Sequence, residues 1–79
     1  MRMKGYENLS GDSGVRAFGS DDDSIVIEFV AGASSERFYR YTDASAGAKA
    51  VREMKRLAAA GQGLSTYVSR NNPGYESKW

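Results

Sequence analysis

The chain has 79 residues and contains neither cysteine nor histidine. That leaves room for one domain with one modest core, and it excludes disulfide staples, thiolate or imidazole zinc sites and the common nucleophile–base pairs. The formal net charge is +1, yet residues 1–36 carry three basic and seven acidic side chains and residues 37–79 carry eight basic and three acidic, so a basic face toward an anionic partner is compatible with the near-neutral total.

No apolar run approaches the ~20 residues of a membrane span; Ile25-Val26-Ile27 is broken at once by Glu28. Met1-Arg2-Met3-Lys4 is followed by no apolar stretch, so no signal peptide is expected and the expected location is the cytoplasm. Residues 1–13, polar and rich in Gly and Ser, predict a ragged N-terminus that settles late onto a sheet. Val15 to Phe18 alternates as a weak first strand, and Gly19 to Asp23 supplies turn residues. Ser24 to Val30 is β-branched and aromatic, with Ile25, Ile27 and Phe29 on one face, and predicts the second strand. Gly32-Ala33-Ser34-Ser35 reads as a turn and Glu36 to Thr42 as a third strand, with Tyr39 and Tyr41 on one face and Phe38 and Arg40 on the other. The short connections favour antiparallel hairpins.

From Ser45 to Ala60 the period becomes helical, with Asp43 or Ser45 as N-cap and Gly61 in the left-handed closing position. Gly47, Ala50, Val51, Met54, Leu57 and Ala58 form one stripe; Lys49, Arg52, Lys55 and Arg56 fall opposite, with Glu53 spaced to pair with Lys49 or Arg56. Leu64 to Arg70 predicts a short second helix, stopped by Asn71-Asn72-Pro73-Gly74, and Tyr75 to Trp79 a tail. The expected fold is α+β, a single domain over residues 1–79 in the order β-β-β-α-α, with the main helix packed on a three-stranded antiparallel sheet.

Asp21-Asp22-Asp23 are adjacent carboxylates in a turn. They cannot face each other across a cleft as acid–base pairs do, and they lack the alternate spacing of a calcium loop, so a solvated turn is expected. Gly61-Gln62-Gly63 matches no phosphate-loop pattern. With no catalytic, metal or cofactor constellation, a non-enzymatic protein is expected. Two stretches carry binding chemistry. In Arg37-Phe38-Tyr39-Arg40-Tyr41, basic and aromatic residues alternate on a strand, as on sheet platforms where rings stack on bases and guanidiniums meet phosphates. Only one face of that strand can point inward, so Tyr39 and Tyr41 serve either as core residues or as a platform. If the helix covers them, only the basic residues remain. Lys49, Arg52 and Arg56 are either phosphate contacts or the solvated face of an amphipathic helix.

These residues together resemble the KTSC domain, a short bacterial module found alone and at the C-terminus of some lysyl-tRNA synthetases. The resemblance covers about residues 9–75 and rests on Tyr39-Arg40-Tyr41 as its Y-x-Y motif. It also rests on the Ser, apolar, Gly and Asp order from Leu9 to Asp21, and on Leu57-Ala58-Ala59-Ala60-Gly61-Gln62-Gly63 followed by Tyr67-Val68 and Arg70. Asp43-Ala44-Ser45 stands where that family has a Val-Pro step. The resemblance implies a small antiparallel sheet followed by helices, and RNA as the suggested ligand. The expected function is an RNA- or nucleic-acid-binding module using Arg37, Tyr39, Arg40 and Tyr41, with Lys49, Arg52 and Arg56 on phosphates. The alternative is a small protein-binding adaptor or inhibitor of the kind phages and mobile elements encode.

Overall fold

The computed structural model describes residues 2–9, 11, 14–30 and 37–79. It is an α+β fold with strands β1 (Lys4–Gly5), β2 (Val15–Asp21), β3 (Ser24–Phe29), β4 (Phe38–Thr42) and β5 (Ser77–Lys78), and helices α1 (Asp43–Ala46), α2 (Ala48–Ala60) and α3 (Leu64–Asn71). The sheet runs β1-β2-β3-β4-β5 with every neighbouring pair antiparallel. It therefore has five strands where three were expected, because both chain ends add a two-residue edge strand that hydrophobic alternation is too short to reveal. The predicted turn over residues 32–35 and the start of the third strand at Glu36 lie outside the described residues.

Local chemistry explains the elements. The β2–β3 hairpin closes through Asp22-Asp23, with Asp21 opposite Ser24, and a bulge at Arg16 shifts the register between Val15 and Ala17. The one predicted main helix is split. Thr42, extended at φ −121° and ψ 165°, caps α1: its Oγ1 accepts from Ser45 N–H, while Thr42 N–H donates to Ser45 Oγ at 2.9 Å. This reciprocal capping box leaves to Thr42 the role expected of Asp43 or Ser45. Gly47, at φ +95°, then breaks the spiral and α2 starts at Ala48. Gly61 closes α2 as the sequence predicts, at φ +75°, its N–H donating to Leu57 O and Ala58 O.

The core lies between one sheet face and the helices. Ile25, Ile27 and Tyr41 from the sheet meet Val51, Met54 and Ala58 of α2, Leu64 of α3 and Tyr6, with Ala46 of α1 packed against them. Each fully buried Ile, Leu or Met contributes about 1.5–3 kcal/mol. Near the N-terminus, Tyr6 is in the core and its hydroxyl accepts from Leu64 N–H at 3.3 Å, satisfying a free amide at the start of α3. Leu9 N–H donates to Gly61 O at 2.7 Å. The C-terminal segment binds the β4 edge, where Glu76 N–H donates to Arg40 O and Trp79 exchanges backbone bonds with Phe38. Among the described residues no helix is long and apolar enough to cross a membrane.

Candidate nucleic-acid interface

Strand alternation sorts the residues of β4. Tyr39 and Tyr41 pair with Ile27 and Ile25 and share their face, toward the helices. Tyr41 is 2% exposed, and burial, with smaller contributions from Tyr39 and Tyr75, pushes its hydroxyl from 10.0 up to about 12. Tyr39 is half-buried and stacks near-parallel on Tyr41 at 6.4 Å. It also meets the rings of Phe29 and Tyr75 edge-on at 5.4 and 5.2 Å. Both tyrosines are thus engaged in core and rim packing, and neither forms an open stacking platform.

Phe38 and Arg40 point the other way. Phe38 stacks on Trp79 at 5.6 Å and 11°, and Arg40 Nε lies 3.3 Å from Glu76 Oε1. Arg37 precedes β4, half-buried, its backbone bonded to Phe29 and Trp79. The side of the sheet away from the helices therefore carries an aromatic pair and an arginine already matched to a carboxylate.

The helical residues meet in one place. Lys49, Arg52 and Arg56 of α2 line an open groove of ≈ 860 Å³ with Ala50, and Tyr67 and Asn71 of α3 supply residues from the neighbouring helix. Glu53 lies in the same groove and binds Arg56 through two hydrogen bonds, at 3.0 and 2.5 Å. The bond to Arg56 holds the Glu53 carboxyl below its ordinary value, and the Arg56 guanidinium is raised in turn. Among the described residues no carboxylate pairs with Lys49 or Arg52. Lys55 leaves the stripe: its Nζ donates to the backbone carbonyls of Asp21 and Asp22 and ties α2 to the β2–β3 turn. The carboxylates of that turn are exposed.

The structure thus separates the sequence-predicted residues. Lys49, Arg52 and Arg56 are together; Tyr39 and Tyr41 are on the core side; Arg40 is on the opposite sheet face; Arg37 is at the entry to β4. Tyr67 and Asn71 are the members that sequence reasoning missed. Tyr67 sits at i+3 from Leu64 on the half-buried side of α3, and helical spacing within α3 carries no signal that it borders the cations of α2.

No protein-family model, no curated protein and no solved structure matches the chain.

Proposed function

We propose that this protein is a non-enzymatic nucleic-acid-binding module that holds RNA in the groove between α2 and α3. The observation that carries the reading is the convergence of Lys49, Arg52 and Arg56 with the ring of Tyr67 on one open surface. Two of these cations have no carboxylate partner among the described residues. Cations that track a backbone supply sequence-independent affinity, and a ring between them adds a surface for a base. The resemblance to the KTSC domain, with RNA as its suggested ligand, supports the same reading, which needs no cofactor and sets the protein at work in the cytoplasm.

The test is a titration of fluorescent single-stranded RNA across salt, comparing wild type with Lys49→Ala/Arg52→Ala and with Arg37→Ala/Arg40→Ala. The reading expects salt-sensitive micromolar binding that the helix pair weakens at least tenfold and the strand pair leaves within about twofold, as removal of phosphate contacts dictates. Absence of binding at low salt contradicts it. A second reading, a protein-binding adaptor, is favoured by the opposite sheet face. There Trp79 is 53% exposed on its stack with Phe38, beside Arg40 and Glu76, an aromatic and arginine anchor of the kind protein interfaces use.

A further inference from the structure

Resting on that reading, we infer that the groove takes a single strand over a footprint of about three nucleotides, with one base laid on the ring of Tyr67 and the phosphates running along Lys49, Arg52 and Arg56. Three observations lead there. First, the cations are spaced along one helix face: seven residues separate Lys49 from Arg56, a rise of about 10.5 Å at 1.5 Å per residue, so three cations in a row can each meet one phosphate of a short stretch of about three nucleotides. Second, Tyr67 packs one side against the core and lines the groove with the other; like Tyr6 and Phe18 it belongs to no ring pair among the described residues, whereas Tyr39 is enclosed by the rings of Phe29, Tyr41 and Tyr75. The part of the ring that borders the groove has no other ring over it among the described residues and offers a surface to a planar ligand. Third, the site is a depression between two helices, so α2 does not stand proud as a helix must to enter a major groove. A duplex would present phosphates to the cations but keep its base faces stacked inside, out of reach of Tyr67.

Glu53 sets the charge of this footprint. It shares the groove and occupies Arg56, so a phosphate at that end competes with a carboxylate, while Lys49 and Arg52 meet theirs unopposed.

The experiment uses the full chain and fluorescent oligouridylates of two, three, six and nine nucleotides, with a nine-base-pair RNA duplex as comparison. The variants are Tyr67→Leu, which keeps an apolar side chain for packing, Tyr67→Phe, Arg52→Ala and Glu53→Gln. Affinity is expected to climb steeply up to three nucleotides and then only by the statistical gain of more registers. The log–log salt slope is expected near about −2 for three single-strand contacts, and Arg52→Ala should flatten it by about 0.7. Tyr67→Leu should weaken binding by about five- to 150-fold without changing that slope, and Tyr67→Phe should restore it. Glu53→Gln should strengthen binding by about two- to fivefold. Duplex binding as tight as single-strand binding, or indifference to Tyr67→Leu, overturns this inference and leaves the groove as a plain phosphate-tracking surface. Absence of binding to every probe overturns the underlying reading as well.

Discussion

Strand β4 and helix α2 are both dense in cations, and the fold treats them in opposite ways. On β4 the period of two sends Tyr39 and Tyr41 inward, and a segment more than thirty residues away supplies Glu76 to Arg40 and Trp79 to Phe38. On α2 the period of 3.6 sends Val51, Met54 and Ala58 inward and leaves Lys49 and Arg52 facing an open groove. A run of basic and aromatic residues is therefore no measure of a binding surface. What counts is whether distant parts of the chain have already used those groups.

The sharpest way to break the comparison is to remove a ring the fold is said to use. Tyr41→Ala should cost about 3–5 kcal/mol of stability in urea unfolding, as truncation of a buried aromatic does, whereas Lys49→Ala and Arg52→Ala should each stay within about 0.5 kcal/mol. Equal and small effects would place Tyr41 outside the core.

The next effect is alkaline. Folding raises the Tyr41 hydroxyl from 10.0 to about 12, so its contribution is intact below pH 10 and is lost as pH rises through the folded value. That component is lost progressively between pH 10 and 12. Tyr41→Phe should flatten this part of the stability profile while changing little at pH 7; an unchanged profile would argue that the hydroxyl is solvated.

Gly61 tests how α2 is held. It sits at φ +75°, and a Cβ there would come 2.7 Å from Glu7 Cβ, where the N-terminal segment crosses the end of the helix. Gly61→Ala should therefore cost about 1–3 kcal/mol, read from the same unfolding curves. The smallest effect is at the surface: a double-mutant cycle on Arg40 and Glu76 should give a coupling of about 0.2–1 kcal/mol, since both side chains are partly solvated. A larger coupling would make that pair a structural clamp rather than a surface match.

Long periodic segments were legible in the sequence. The apolar face of Ser24 to Val30, the stripe of Val51, Met54 and Ala58, the left-handed Gly61 and the short helix after Gly63 all stand where alternation, helical spacing and glycine chemistry put them. The edge strands were not legible, because Lys4–Gly5 and Ser77–Lys78 are defined by backbone bonds to neighbours rather than by any pattern of their own. The break at Gly47 was hidden inside the apolar stripe, where a glycine reads as one more small residue. Half of the candidate site, the cations of α2, could be read from spacing; its aromatic, Tyr67, could not, because its role depends on how α3 lies against α2. The fate of Tyr39 and Tyr41 was undecidable by alternation alone, since both faces of β4 carry rings.

The most direct test of the central claim, that the α2–α3 groove rather than β4 receives the ligand, is a map of backbone amide shifts in isotope-labelled protein titrated with a six-nucleotide oligouridylate. The account predicts that the largest changes fall in residues 46–56 and 64–71 and that residues 37–42 stay quiet. Changes concentrated in residues 37–42 and 77–79, with α2 unaffected, would contradict it.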